Sequence, residues 1–162
     1  MDRLIAGLDQ ALHTAFGPAP AVERANPAAA CDSNELEREQ RELAVRLMRV
    51  NHAGEVAAQA LYQGQALTAR LPGVQEKMQQ AAREENDHLA WTAERIQELG
   101  GHTSRLNPLW YAQSFAIGAL AGVAGDKWSL GCVAETEHQV VQHLDEHLAR
   151  LSPADDKSRA IL

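Results

Sequence analysis

Cysteines, basic patches and long apolar runs are all scarce in this sequence of 162 residues. Its two cysteines, Cys31 and Cys132, lie far apart and form no Cys-x-x-Cys pair, so we interpret them as free thiols in a reducing compartment. The net charge is −7 and no basic stretch occurs, so we expect no nucleic-acid partner. No apolar run reaches the roughly 18 uninterrupted residues that would predict an ordinary membrane-spanning helix.

Signals for secretion and for nucleotide binding are also missing. Residues 1–6 do not begin a charged segment followed by a long apolar stretch, so no secretory signal is expected. No Gly-x-Gly-x-x-Gly run occurs, and a built-in dinucleotide-binding domain is therefore not expected.

The abundant residues predict a helical protein. Hydrophobic residues make up 45% of the chain, and Ala, Leu, Glu and Gln dominate long stretches that contain little Pro or Gly. We therefore predict an all-α fold with one helical bundle over residues 34–162, preceded over residues 1–33 by a short amphipathic helix and a Pro-containing arm. The predicted long helices of the bundle cover residues 34–69 and 74–99, and a further helix continues to about residue 151 after an apolar segment at 108–125 and an interruption at 126–128.

A Glu-x-x-His pair, Glu85 and His88, lies inside the second of these helices. At about 100° per residue, both side chains point to the same side of the helix. Apolar residues share that side, namely Val74, Met78, Ala81, Ala82, Leu89, Ile96 and Leu99. Because burying an unpaired carboxylate is unfavourable, a metal ion is the leading candidate for a partner.

Two further glutamates are predicted to point inward from neighbouring helices. Glu55 shares its side of the first helix with small and semi-polar residues, and Glu137 lies in the apolar stripe of the last long helix. A second Glu-x-x-His pair, Glu135 with His138, competes with Glu137. Glu135 lies about 160° from the apolar stripe, so we expect it to face solvent. Surface positions are expected for the histidines His13, His102 and His147.

A glutamate on one helix, Glu-x-x-His on the next and a glutamate on a third resemble the ligand set of di-iron and di-manganese carboxylate bundles. Oxygen-rich ligands with an imidazole suit Fe(II) or Mn(II) better than structural zinc. The predicted metal ligands are Glu55, Glu85, His88 and Glu137. A solvated Glu–His pair without a metal is the alternative, since a single Glu-x-x-His on a helix is common.

Five short motifs follow one another along the chain: Asn51-His-Ala-Gly-Glu55, Tyr62-Gln-Gly-Gln65, Glu85-Asn-Asp-His88, Gly125-Asp-Lys-Trp-Ser-Leu-Gly131 and Glu135-Thr-Glu-His-Gln-Val140. In this order they closely resemble the demethoxyubiquinone hydroxylase family of ubiquinone biosynthesis, over about residues 46–148. The resemblance implies a ferritin-like four-helix bundle that holds two iron ions, and Glu55, Glu85, His88 and Glu137 match family iron ligands.

The same resemblance implies an activity and a location. It implies a monooxygenase that uses O2 to hydroxylate the ring of a polyprenyl methoxy-benzoquinol, with electrons from NADH or another donor. It implies a peripheral membrane protein on the cytoplasmic face of the bacterial inner membrane, with possible partners among the proteins of ubiquinone biosynthesis. His143 matches a histidine near the metal site that assists either the substrate or the residues around the metal ligands. Tyr62 lies on the Glu55 side and could donate a hydrogen bond there, or be an ordinary core residue.

The uncharged segment that begins at Pro108 and ends at Gly125 is apolar on nearly every side. We interpret it as an extra helix that dips into the membrane interface, with its aromatic side chains Trp110, Tyr111 and Phe115 at the headgroup level. Its glycines are expected to allow close contact with lipid or a partner. A buried core helix is the alternative interpretation.

The sequence departs from the family pattern after Glu137. The resemblance implies a second Glu-x-x-His on a last helix, and Leu162 is reached before one occurs. Ser152 and Pro153 predict the start of that helix, so we expect a C-terminally truncated member whose last helix is incomplete. Two alternatives to the hydroxylase remain open, which are ferritin-like handling of iron or peroxide and a metal-free scaffold that binds lipid or a partner.

Overall fold

The computed structural model describes residues 22–32 and 34–162, so the short amphipathic helix predicted at the start of residues 1–33 lies outside the described residues. In the described part, the regular elements are all helical, and the all-α prediction is confirmed. They are a 3-10 turn at Pro27–Ala30, α1 (Arg38–Thr68), α2 (Pro72–Glu98), α3 (Asn107–Ala124), α4 (Asp126–Arg150) and α5 (Asp156–Ile161).

Helix α1 is the centre of the bundle, because α2 and α3 both pack along it. Near one end of α1, Leu47 and Met48 pack with Ile96 of α2 and with Leu99 just past the end of α2. Towards its other end, Tyr62 and Ala66 pack with residues of α2 and α4, namely Val74, Met78, Ala82 and Val133. The core therefore follows the apolar sides of α1 and α2, as expected for amphipathic helices.

Local sequence explains where the first two helices begin and end. The Oε1 atom of Gln40 accepts a hydrogen bond from the backbone N–H of Glu37 at 3.1 Å, just before α1. Pro72 opens α2, where its missing N–H removes no intrahelical bond. Past the end of α2, Gly100 has φ of +78°, a conformation that glycine adopts without strain. The predicted break between residues 69 and 74 and the predicted helix end near residue 99 are confirmed.

Glycines bring α1 and α3 into close contact. A Cβ atom on Gly118 of α3 would overlap the carbonyl oxygen of Leu61, and one on Gly64 of α1 would overlap the carbonyl oxygen of Phe115. A Cβ atom on Gly122 would meet the side chain of Thr68. These glycines serve the contact inside the bundle, so the prediction that they face lipid or a partner is wrong.

The start of α5 differs from the prediction. Ser152 and Pro153 precede the helix, and its cap is Asp155, whose Oδ1 accepts a hydrogen bond from the backbone N–H of Ser158 at 3.1 Å. Asp155 is buried and also receives a hydrogen bond at 2.8 Å from Arg95 on α2. This long-range ion pair, which local sequence does not encode, places the start of α5.

Helix α4 is covered less than its apolar stripe predicts. Ser129 and Val133 near its beginning and His147 near its end are buried, whereas Val140 and Val141 between them are exposed. Within residues 34–162, no other element covers this middle stretch. The prediction that α4 buries a continuous core stripe is therefore wrong.

None of the helices in the described ranges combines the length and the apolar character needed to cross a membrane.

Candidate metal centre

Glu55 of α1 and the pair Glu85 and His88 of α2 meet where the two helices face each other. The Nδ1 atom of His88 lies 3.5 Å from Oε2 of Glu85 and 3.8 Å from Oε2 of Glu55. One potential ligand atom from each residue lies within 4.8 Å of the other two. The structure thus brings together three of the four predicted metal ligands.

Packing next to the cluster holds these side chains in place. Val56 follows Glu55, and Leu89 follows His88; both are fully buried in one cluster with Ala60 and Tyr111. Glu55 and Glu85 also lie at similar distances along the chain from the short connection between α1 and α2. An antiparallel helix pair with a short connection brings such positions to the same level.

The two half-buried carboxylates strongly perturb one another's pKa. Burial, together with the neighbouring carboxylate of Glu55, raises the pKa of Glu85 to about 8. The carboxylates of Glu55 and Glu85 raise the pKa of His88 to about 10. Burial acts to raise the pKa of Glu55 as well, but its contacts with Glu85 and His88 hold it below the ordinary value. The cluster therefore strongly favours a positive charge between the carboxylates.

Glu85 also has an orphaned atom. Its Oε2 is buried without a hydrogen-bond partner, and its 3.5 Å separation from His88 Nδ1 is too long for a strong bond. A cation between the three side chains would satisfy this oxygen. Two carboxylates and one imidazole are a donor set that suits Fe(II) or Mn(II), so the residues present fit the implied metal.

The cluster lies in the wall of a cavity of about 780 Å³. Polar groups from three helices face this cavity: Glu55, Tyr62, Glu85, His88, Glu137 and His143. Most of the remaining wall is apolar, including Ala57, Ala58, Leu106, Trp110, Val140, Val141 and Leu144. A large apolar cavity with a few convergent polar groups is the usual form of a small-molecule site.

Glu137 lines this cavity but does not join the three-residue cluster. It is exposed, so the prediction that it is buried in the core stripe of α4 is wrong. Glu135 is exposed too, as predicted, and it does not line the cavity. Sequence periodicity therefore predicted the correct side of α4 for Glu137. It did not predict that Glu137 is exposed, because that depends on whether another helix covers the middle of α4.

The two predicted catalytic residues both line the cavity, but Tyr62 is buried and His143 is exposed. Tyr62 is buried on α1; burial and the charge of Glu85 raise the pKa of its phenol, which therefore stays protonated. His143 on α4 is exposed, and its ring centroid lies 3.9 Å from that of His147.

The expectations for the other histidines are mixed. His102 is exposed as predicted, and His13 lies outside the described residues. His147 was expected at the surface but is buried, with its Nδ1 2.9 Å from Oδ1 of Asn51. Asn51 belongs to the motif that includes Glu55, yet a partner 96 residues away could not be found from spacing.

Sequence reasoning also missed two residues that lie next to the cluster, Arg24 and Asp87. Their side chains form an ion pair at 2.7 Å, and a nitrogen of Arg24 lies 3.3 Å from Nε2 of His88. No local signal pointed to this contact, because Arg24 lies in the proline-containing arm and is far from α2 in sequence.

A helical bundle in which two helices present carboxylates and an imidazole to an apolar cavity defines the class of carboxylate-bundle proteins with a candidate metal centre. A sequence model of one family within this class matches residues 42–162, and its description is "Ubiquinone biosynthesis protein COQ7". The chain belongs to this family.

Curated relatives agree with this assignment. The chain is 62% identical over all 162 residues to a 3-demethoxyubiquinol 3-hydroxylase of Nitrosococcus oceani, of which it covers 76%. Proteins with the same name from Nitrosomonas eutropha and Acinetobacter baumannii are 57% and 56% identical over the whole chain, which covers 77% and 76% of their lengths.

Proposed function

We propose that this chain is a 3-demethoxyubiquinol 3-hydroxylase, which uses O2 to add a hydroxyl group to the ring of a polyprenyl methoxy-benzoquinol. The observation that carries the proposal is the cluster of Glu55, Glu85 and His88 in the wall of the large apolar cavity. The names of relatives at 56–62% identity support this activity over iron storage or a metal-free scaffold.

Glu55, Glu85 and His88 would hold iron, and Glu137 would supply a further carboxylate from α4. When bound, iron supplies the redox chemistry that activation of O2 requires. The family pattern has two iron ions, and their electrons would come from NADH or another donor. The orphaned Oε2 of Glu85 and the mutual perturbation of the two glutamates support a cation at this position.

The other cavity residues would orient the quinol ring. Tyr62 keeps its phenolic proton, so it would donate a hydrogen bond to a ring oxygen. His143 lines the same cavity from α4 and would exchange a proton with a quinol hydroxyl. The apolar wall between them would accept the ring and the first part of its prenyl tail.

An exposed apolar face of α3 would bring the enzyme to its lipid substrate. This face and the adjoining start of α4 carry Leu109, Trp110, Ile117, Leu120, Val123 and Trp128, and α3 contains no charged residue. Leu120 and Trp128 are 68% and 72% exposed. Trp110 belongs both to this face and to the cavity wall, which supports a path for the prenyl tail between lipid and cavity.

We therefore propose that the protein attaches peripherally to a membrane surface through this face. The relatives named above are bacterial, so the surface would be the cytoplasmic face of the inner membrane, and the partners would be other proteins of ubiquinone biosynthesis. Apolar side chains with Trp at the headgroup level are suited to such peripheral attachment.

The activity is tested by loading the protein with Fe(II) without oxygen and adding a short-tailed demethoxyubiquinol, a reductant and isotopically labelled O2. We expect mass spectrometry to find one labelled oxygen atom in the ring. Glu85→Gln should abolish both iron retention and product. Glu84→Gln, which changes the exposed neighbouring carboxylate, should leave both intact. Oxidation of Fe(II) without labelled quinol would contradict the hydroxylase and favour iron or peroxide handling.

A further inference from the structure

Helix α3 and the residues on either side of it carry a charge pattern that differs from the rest of the chain. Between residues 99 and 134 the charged side chains are Arg105, Asp126 and Lys127, so this stretch is slightly basic. The whole chain, in contrast, has a net charge of −7. The exposed apolar face of α3 is therefore bordered by positive charge in an otherwise acidic protein.

The basic side chains of this stretch lie beyond the two ends of α3. Arg105 is exposed just before α3 begins, and Lys127 is exposed in the first turn of α4. Among the described residues, no salt bridge neutralises either of them. The carboxylate of Asp126 accepts hydrogen bonds from the backbone N–H groups of Arg70 and Leu71, at 3.0 and 2.8 Å. Both oxygens of the one acidic residue in the stretch are thus bound to the connection between α1 and α2.

Two further arginines bind backbone carbonyl groups at the ends of α3. Nε of Arg49 on α1 donates a hydrogen bond at 2.7 Å to the carbonyl oxygen of His102, in the connection before α3. Nη2 of Arg70 donates one, also at 2.7 Å, to the carbonyl oxygen of Val123 in the last turn of α3. A guanidinium has five N–H donors, so each of these bonds leaves donors for a further acceptor such as a phosphate.

The arrangement of apolar face and positive charges fits a helix that lies along a membrane surface. Such a helix buries its apolar side about 5–10 Å deep, at the boundary between headgroups and acyl chains. Helix α3 has 18 residues, so it is about 27 Å long at 1.5 Å per residue. Its glycines bring it close to α1, so the arginines next to its ends would stay at the level of the lipid phosphates.

Exposed tryptophans lie at both ends of the same face. Trp110 is in the first turn of α3, and Trp128 is in the first turn of α4, just past the end of α3. Tryptophan is enriched at the headgroup level of membranes, which is where phosphates are available to the basic side chains. Charge complementarity therefore favours anionic phospholipids over an uncharged lipid surface.

We propose that the apolar face of α3 docks on anionic phospholipids, with α3 lying along the membrane surface and lipid phosphates bound by basic side chains at both of its ends. Arg105 binds phosphate at the beginning of α3, and Arg70 and Lys127 bind it at the end. The proposal rests on the proposed function, which places lipid on this face, and adds the headgroup chemistry and the orientation of α3. Each Lys or Arg near an anionic membrane surface increases the affinity about fivefold.

The test measures flotation of the full chain with vesicles of phosphatidylcholine and with vesicles of phosphatidylcholine mixed with phosphatidylglycerol. We expect tighter binding to the mixed vesicles, and a loss of this difference at high salt. Arg105→Gln and Lys127→Gln should each weaken binding to the mixed vesicles about fivefold, and the double variant about 25-fold. Arg83→Gln is the matched control, because it changes the net charge equally at an exposed position of α2 and should leave the binding unchanged.

A second measurement tests the orientation of α3. Trp110→Phe leaves Trp128 as the exposed fluorophore, and Trp128→Phe leaves Trp110, while Trp91 is buried in both variants. Mixed vesicles with brominated acyl chains should quench the fluorescence of the two variants to a similar extent, because both ends of α3 lie at the same depth. Quenching of only one variant would show that one end of α3 enters the membrane, and would overturn the orientation along the surface.

The outcomes separate this inference from the proposed function. Equal binding of the wild type and the double variant to mixed vesicles would overturn the role of the basic side chains alone. A loss in Arg83→Gln as large as that in Lys127→Gln would attribute the effect to net charge and would also overturn it. If the wild type bound neither kind of vesicle, both this inference and the membrane attachment would fail, but the hydroxylation of a short-tailed quinol has its own assay. Weaker binding of the double variant supports the inference even when that assay finds no labelled product.

Discussion

Helices α2 and α4 have similar sequence patterns but different environments. Each carries an apolar stripe with a glutamate in it, Glu85 in α2 and Glu137 in α4. In α2 the stripe packs against α1, and Glu85 joins a cluster with an orphaned buried oxygen. In α4 the middle of the stripe is exposed, and Glu137 lines the cavity without joining the cluster. Periodicity therefore identifies the side of a helix, whereas a second helix is needed to fix a ligand's position.

The difference in packing between α2 and α4 is tested most directly by truncating one apolar residue in each stripe. Ile96 of α2 is fully buried, so Ile96→Ala should lower the free energy of unfolding by about 2–5 kcal/mol through lost burial and a residual cavity. Val141 of α4 is 58% exposed, so Val141→Ala should change the free energy of unfolding by less than about 0.5 kcal/mol. Urea denaturation measures both. Similar losses would mean that α4 is packed in solution.

The pH dependence of stability should change when a buried histidine of α1 is replaced, but not when an exposed histidine of α4 is replaced. Burial lowers the pKa of His52 to about 4, compared with about 6.5 in an unfolded chain. Between these values the unfolded state binds the proton and the folded state does not, so stability falls as the pH is lowered from 6.5 towards 4. The loss from this group is on the order of 3 kcal/mol.

The measurement for His52 is the free energy of unfolding in urea at several pH values. His52→Gln should flatten the curve between pH 6.5 and 4, measured against the wild type. His138→Gln removes an exposed histidine from α4 and should preserve the shape of the curve. An unchanged curve in His52→Gln would show that folding does not lower the pKa of His52.

Replacing a glycine by alanine should lower the stability of the protein in α3 and raise it in α4. Gly118→Ala places a Cβ atom against the backbone of α1 and should destabilise the protein by about 1–3 kcal/mol. Gly131→Ala meets nothing within 4 Å and should stabilise α4 by about 0.5–1 kcal/mol, because alanine is the better helix former. Thermal unfolding compares the two. Stabilisation by Gly118→Ala would contradict the close contact of α1 with α3.

Most of the fold could be predicted from local sequence. The helix boundaries near Pro72 and Gly100 follow from backbone restrictions, and the cluster of Glu55, Glu85 and His88 follows from helical geometry. The remaining features depend on contacts between distant parts of the chain. The burial of His147 requires Asn51, and the start of α5 requires Arg95. Spacing within one helix contains no information about such partners.

The smallest expected effect is on vesicle binding, which tests which exposed apolar surface contacts the membrane. Leu120 of α3 and Val141 of α4 are both well exposed, but only Leu120 lies on the uncharged face that we propose for lipid. Leu120→Ala should weaken binding to vesicles that contain anionic lipid by about 1 kcal/mol, roughly fivefold, through partial loss of buried side-chain area. Val141→Ala, with its similarly small truncation, should leave vesicle binding unchanged in a flotation assay. If the two variants lost equal binding, lipid would cover α4 as well as α3, and the exposure of Val140 and Val141 would belong to the same membrane surface. If neither lost binding, the apolar face of α3 would instead be available to a protein partner.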